Sequence, residues 1–316
     1  ELLKNKAGSI SVMDIYTGEI IAMNSSPSFD PNLFLYGIDK NIWKEIKNNP
    51  SKPLINKTIS GLYSPGSTIK PLVALSALEN DVIKPNMKVK CEGKVEMYGQ
   101  TYHCWREKGH GYMSLKNAIK QSCDIYFYEV ARLLGVDRLN LTAEKFGLGK
   151  KVLGEYFPNE KQGVFPSTKW KKKAIGQNWY LGETFITGIG QGYIQTNPLQ
   201  LCLMTAQLAN GGYKIYPRID LKKNQDTVEQ IKNKMQQMNE ISKKKGSSIF
   251  KATENFFGTK TKEYTPLYKN SENIKFVLDA MFKSTNELYG TSYKSRIEDP
   301  KYQFAGKTGT SQVKRI

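Results

Sequence analysis

No stretch of this chain reaches the roughly 18 consecutive apolar residues that a membrane-spanning helix needs. The longest apolar pieces, such as Pro71 to Leu78, read as buried helix instead. Acidic residues are few, 29 Asp and Glu against 47 Lys and Arg, which leaves a formal net charge of +18. The basic residues do not form a nucleic-acid groove. They are scattered among Asn and Ile, and the short runs Lys171–Lys173 and Lys243–Lys245 lack the interleaved aromatics on which bases stack. The charge reads more simply as a Lys- and Asn-rich composition with some attraction to an anionic surface such as lipid or wall polymer. There is no internal repeat. There is also no initiator Met and no secretory signal ahead of Glu1, so the expectation is a segment of a longer protein whose targeting segment is not seen. A hydrophobic content of 39% with 24% charged residues fits a folded globular chain.

What is present is a series of local signals. Ser9–Asp14 and Glu19–Met23 read as two strands joined at Tyr16-Thr17-Gly18. Ser64-Pro65-Gly66 is a sharp turn, and Ser67 to Glu79 has the period of a buried helix. Residues 84 to 111 show no sustained period. Ser114 is placed to cap a helix to Gln121, and Asp124 another to Leu134, closed by Gly135. Thr142–Phe146 reads as a short helix, Leu199–Leu208 as a strong one after Thr196-Asn197-Pro198, and Lys275–Asn286 as a third. Residues 219 to 270 read as a surface insertion, and Gln303–Val313 as a terminal strand.

Three short motifs carry chemistry. In Ser67-Thr68-Ile69-Lys70, a serine at the first turn of a helix has backbone N–H groups nearby for a developing oxyanion. Lys70 lies one turn on, on the same face. A desolvated lysine near other cations loses basicity and accepts a hydroxyl proton. Alone the pattern reads as readily as an N-cap serine beside a solvated lysine. Ser122-Cys123-Asp124 sits between two helices, where it pushes a hydroxyl and a carboxylate into a cleft. Lys307-Thr308-Gly309 combines a positive charge, a hydroxyl, and a glycine that lets a substrate backbone approach.

Together these three motifs are the signature of β-lactamases and penicillin-binding proteins. With Ser25-Ser26-Pro27-Ser28-Phe29-Asp30-Pro31, Tyr63 to Pro71, and Gly188-Ile189-Gly190-Gln191-Gly192 followed by Thr196 to Gln200, the chain resembles an elongation-type class B penicillin-binding protein from Gly8 to its last residue. The resemblance implies an α/β (α+β) fold, an antiparallel sheet sandwiched by helices, with a helical lobe holding Ser67 and Ser122. It implies residues 1–316 as one transpeptidase domain without the upstream membrane anchor and pedestal, and without the strands that follow Lys-Thr-Gly. An unpaired terminal strand and slow acylation by the chain as given are expected with that. The implied location is the periplasmic face of the inner membrane.

The same resemblance implies a D,D-transpeptidase that forms an acyl-enzyme on stem peptides and is blocked by β-lactams. Ser67 would be the nucleophile, Lys70 its base, and Ser122 the shuttle toward the leaving amine. Lys307 would set the potential, and Thr308, Gly309 and Thr310 would receive the donor carboxylate. The oxyanion N–H groups would be those of Ser67 and Thr310. Asp124 stands where Asn is commoner, and an acceptor-only carboxylate leaves its role open. The implied partners are a membrane glycosyltransferase and an elongation complex, with no nucleic acid and no cofactor required for catalysis. A β-lactamase shares the motifs and is separated by rapid turnover of the acyl-enzyme. A penicilloyl-binding sensor and a non-catalytic basic module are the remaining alternatives.

Four cysteines remain. Cys202 falls within an apolar helix and reads as core. Cys91, Cys104 and Cys123 bracket His110 and make a complete tetrahedral zinc set, with some elongation-type enzymes resembling this in a metal site beside the second motif. A Cys91–Cys104 disulfide and buried free thiols are the other readings. His103 is the fallback ligand, otherwise facing solvent or stacked on Trp105.

Overall fold

A computed structural model describes residues 3–219 and 265–311. Its centre is helix α3, Lys70–Glu79, in which every residue from Lys70 to Leu78 is buried. A helix apolar on all sides has to be wrapped, and the surrounding elements do this. Helices α4 (Leu115–Lys120), α5 (Asp124–Leu134), α6 (Val136–Lys145) and α10 (Ser271–Asn286) pack on it. Further out lie α7 (Thr168–Ile175), α8 (Leu181–Gly188), which packs on α5, and α9 (Pro198–Ala209). Asn197 and Gln200 close α9 with a reciprocal capping box, and Pro198 occupies its first turn.

The N-terminal strands β1 (Gly8–Met13) and β2 (Ile20–Ser26) form an antiparallel hairpin over α9 and the short helix α2 (Lys57–Ser60). Met13, Ile59, Leu199, Leu203 and Ile215 fill that contact. Asp14 accepts from the Tyr16 and Thr17 N–H groups and so fixes the turn. Helix α1 (Lys40–Asn48) stands apart and buries none of its residues.

Several expectations hold, and several are corrected. Ser67 and Ser122 both sit in the helical lobe, and the strands of the described residues pair antiparallel, as the α/β reading requires. Residues 84–111 are not irregular. They contain β3 (Lys88–Cys91), β4 (Lys94–Met97) and β5 (Gln100–His103), and β6 (Gly111–Ser114) follows. β3 pairs with β6, and β4 with β5 through a tight turn with both Tyr98 and Gly99 at positive φ. Four-residue strands are too short to show alternation. Helix α6 begins at Val136, well before Thr142. Asp124 does not cap α5, because Cys123 is the cap residue and the Asp124 carboxylate is engaged elsewhere.

The expected strand at Gln303–Val313 does not form. Residues 303–311 are irregular, and 312–313 lie outside the described residues. Among the described residues no strand runs beside them, so their polar groups turn to α10: Gly306 N–H donates to the Met281 carbonyl, and Asn286 to that of Phe304. Most of the expected 219–270 insertion also lies outside the described residues.

Candidate active site

A cleft of about 670 Å³ opens where the three motifs meet. Ser67 lies in a 3-10 turn, Gly66–Ile69, that runs directly into α3. Gly66 has φ +56°, and a Cβ there would lie 2.3 Å from the Thr310 carbonyl oxygen. Only glycine lets the two segments approach so closely. Gly190 repeats the device, since a Cβ there would meet the Gly66 carbonyl at 2.0 Å. The Gly66 N–H donates to the Gly190 carbonyl at 2.9 Å.

Lys70 is fully buried beneath Ser67. Its Nζ donates to Asp124 Oδ1 at 2.7 Å, to the Ser122 carbonyl at 2.9 Å and to Ser122 Oγ at 3.3 Å. Ser122 reaches this position in a left-handed conformation, φ +56°, the kind of backbone strain that surrounding contacts hold in place. Asp124 Oδ2 accepts the Trp105 N–H at 2.9 Å, so the carboxylate is held from both sides. Asp124 thus accepts on both oxygens, which an amide would do on only one.

Lys307 closes the group from the far wall, donating to Ser122 Oγ at 2.9 Å and to the Thr308 carbonyl at 2.7 Å. Burial, and then the neighbouring charge of Lys70, push its ammonium well below the usual lysine range, with Asp124 opposing them. Thr308 Oγ1 bonds Thr291 Oγ1 at 2.8 Å, and Gln191 Nε2 reaches the Thr310 carbonyl at 3.5 Å. The segment after Gly306 is thus held by side chains rather than by a sheet partner. Gly309 packs against Thr68. Of the residues expected from the three motifs, Ser67, Ser122, Asp124, Thr308 and Thr310 line this cleft, and Lys70 and Lys307 join it through Ser122 Oγ. Sequence reasoning gave no site role to Trp105, Gln191 or Thr291, which also line it. The Gly190-Gln191 pair, inside the quoted Gly188–Gln200 block, was the available signal.

Cys91, Cys104, Cys123 and His110 converge on the other side of Ser122. Their ligand atoms all lie within 4.8 Å of one another, and His110 Nδ1 is 3.5 Å from both Cys91 and Cys104 Sγ. All three thiols are free, so the disulfide reading is not the one adopted. A hydrogen bond from Cys123 holds the Cys104 thiol low, and burial pushes Cys91 up. His103 is exposed on β5, and the ring packed against Trp105 is that of His110, at 5.3 Å. Cys202 is half-buried against β1.

The family profile for the penicillin binding protein transpeptidase domain matches residues 8–315. The chain belongs to this family. The transpeptidase domain is 33% identical to the peptidoglycan D,D-transpeptidase MrdA of Acinetobacter baumannii over 99% of its own length and 42% of that protein. It resembles the solved PBP2 of Pseudomonas aeruginosa in complex with WCK 5153 at a TM-score of 0.79 and 34% identity, over 99% of this chain and 64% of that one. The PBP2 of Helicobacter pylori, solved in complex with MreC, matches at 0.80 and 29%, over 99% and 52%. These likenesses bear out the α/β transpeptidase fold and the resemblance to the elongation-type class B branch. The domain spans less than half the length of the MrdA relative.

Proposed function

We propose that this domain carries the acyl-transfer chemistry of an elongation-type peptidoglycan D,D-transpeptidase. The observation that carries the reading is the hydrogen-bonded set Lys70–Ser122–Lys307 at the mouth of the cleft, with Ser67 at the start of the helix that bears Lys70. Ser67 Oγ attacks the penultimate D-Ala carbonyl of a stem peptide and passes its proton to Lys70. Ser122 Oγ, between the two amines, relays a proton to the departing D-Ala. Lys307, Thr308 and Thr310 receive the donor carboxylate, with Gly309 leaving room for its backbone. The amine of a second stem then takes the acyl group, and no cofactor enters. A β-lactam acylates the same serine and stalls there.

Mass spectrometry of the penicillin-treated protein tests this directly. The adduct is expected on the peptide containing Ser67 and absent from Ser67→Ala. Persistence of the adduct in that variant overturns the reading, and rapid turnover of the adduct in the unsubstituted protein favours a β-lactamase.

The thiol cluster fits structural zinc. Three sulfurs and one imidazole are its usual donor set, and the 3.5 Å S···N separations match neighbouring corners of a tetrahedron with bonds of about 2.0–2.3 Å. His110 presents Nδ1 to the sulfurs while Nε2 is buried without a partner. A bound ion would pin the Ser122 loop, and one equivalent of zinc per chain by elemental analysis is expected. The elongation complex, a membrane glycosyltransferase and the periplasmic face of the inner membrane complete the proposal. The solved MreC complex of the H. pylori relative supports the partner class. Among the described residues no helix is long and apolar enough to cross a membrane.

A further inference from the structure

Thr291 lies in none of the three motifs, yet it lines the cleft, and its loop is tied down from several sides. The loop follows α10. The N–H groups of Glu287 and Ser292 donate to the carbonyls of Lys283 and Ser284 in the last turns of that helix, and the Thr291 N–H donates to the Lys120 carbonyl at the end of α4. The Glu287 carboxylate accepts from Lys120 Nζ at 2.8 Å, which joins the same two elements a second time. Gly290 is required at the bend, since a Cβ there would lie 2.1 Å from the Ser284 carbonyl oxygen. The loop is thus braced against the helix that leads into Ser122.

The Thr291 hydroxyl is the middle one of a row of three. Its Oγ1 is 2.8 Å from Thr308 Oγ1 at the cleft and 3.3 Å from Ser284 Oγ, which belongs to a fully buried residue. Each hydroxyl has one proton to give and two acceptor sites, so a row of this kind runs in either direction. A carboxylate only accepts. For Thr308 to give its proton to a donor carboxylate it has to stop donating to Thr291, and its own oxygen is then free to accept from Thr291. Ser284 in turn donates to Thr291, so the reversed row keeps both of its hydrogen bonds.

We propose that Thr291 is a positioning residue for the donor carboxylate, acting through Thr308: by donating to Thr308 Oγ1 it turns the Thr308 proton into the cleft. The buried Ser284 hydroxyl completes the row from behind. This inference rests on the acyl-transfer reading above and adds to it the group that sets the direction of the Thr308 hydroxyl.

Acylation of Ser67 measured to saturation with benzylpenicillin and with its methyl ester, which carries no carboxylate, tests the proposal. Thr291→Val keeps the shape of the side chain and removes the hydroxyl. Its half-saturating concentration for benzylpenicillin is expected to rise about fivefold, the scale of one neutral hydrogen bond. That for the ester is expected to stay within about twofold, as is the limiting acylation rate with either compound. Thr291→Ser, which restores the hydroxyl without the methyl group, is expected to return benzylpenicillin to the value of the unsubstituted protein. Should the valine variant not fold, Thr291→Ala read with the same two compounds takes its place. Equal losses with acid and ester, a loss confined to the limiting rate, no loss at all, or a loss that serine does not rescue overturns the proposal while leaving Ser67 acylation standing. No Ser67 adduct with either compound in the unsubstituted protein brings down the acyl-transfer reading and this inference with it.

Discussion

Among the described residues two lysines are completely buried, each bonded to a carboxylate at the start of a helix, and their surroundings differ. Lys70 donates to Asp124 at 2.7 Å, and Lys171 to Glu183 at 2.5 Å. Lys171 lies under an aromatic roof, 4.4 Å from the Tyr180 ring centroid, with Tyr193 and Trp179 within 6.0 Å. Glu183 is occupied by the Tyr180 N–H and the Tyr193 hydroxyl, and so the pair ties α7 to α8 and no reactant can enter. Around Lys70 the remaining partner is the hydroxyl of Ser122, which a second amine also touches and which lines an open cleft. Burial and a salt bridge do not tell the two lysines apart. A reachable hydroxyl and a second cation do.

The largest expected effect separates the pair outright. Lys70→Ala is expected to abolish penicillin acylation, and Lys70→Arg not to rescue it, because a guanidinium does not serve as a base. Lys171→Met, refolded and assayed per folded molecule, is expected to form the Ser67 adduct. An adduct lost in both, with Lys171→Met still folded, breaks the distinction.

Neutralising the carboxylates gives the next contrast. Glu183→Gln leaves a buried charge uncompensated and is expected to lower stability by about 3 kcal/mol in a denaturant melt, at the low end for a buried pair because Glu183 is 20% exposed. Its acylation rate is expected to stay within about twofold. Asp124→Asn removes an acceptor held by both Lys70 and the Trp105 N–H, and misplacement of the base is expected to cost about a hundredfold in rate. Equal rate losses in the two variants would make Asp124 a structural partner only.

How much of this was legible beforehand follows from where the information lies. Ser67, Lys70 and Ser122 were readable because their spacing places them at helix starts, and helix boundaries follow local rules that hold here at Ser114, Gly135 and Asn197, whereas Lys307 was readable only from its Lys-Thr-Gly motif. The strands between Lys88 and Ser114 were not, since their stability comes from pairing across residues far apart in sequence. Lys171 read only as part of a short run of lysines, and it is fully buried because the aromatics that cover it come from 179–193. The left-handed Ser122 and the pinned Trp105 are set by contacts 16 to 185 residues away, which no window of sequence contains. Residues 303–311 form no strand for a related reason, since among the described residues no strand runs beside them to pair with.

A third, smaller effect asks whether the thiol cluster supports one lysine and not the other. Cys123 directly precedes Asp124, and Cys104 directly precedes Trp105, whose N–H holds that carboxylate. On the zinc proposal, treatment with a chelator is expected to speed amide exchange across 122–126 and to slow acylation about tenfold, the usual scale for loss of a positioning shell. Exchange at 171–184 is expected not to change. Faster exchange in both regions would mean that the cluster holds the fold as a whole.

The smallest effect concerns Lys307, the cation that distinguishes the Lys70 site from the Lys171 one. Its ammonium is held well below the usual lysine range, chiefly by burial and then by the charge of Lys70. Raising the pH therefore discharges Lys307 before ordinary lysines, which titrate near pH 10.4. Once it is neutral, the cleft loses its charge-assisted grip on a donor carboxylate, an interaction worth about tenfold in affinity. The half-saturating concentration of benzylpenicillin is accordingly expected to rise on the alkaline side at a pH where free lysine is still charged, while that of its methyl ester, which carries no carboxylate, stays level. Asp124→Asn sharpens the sign. The Asp124 charge is the one influence raising Lys307, so its removal should move the alkaline rise to lower pH. Lys307→Arg, charged throughout, should remove the rise altogether. A rise that follows the ordinary lysine range, or one shared by the ester, would show that Lys307 does not hold the carboxylate in the way its surroundings indicate.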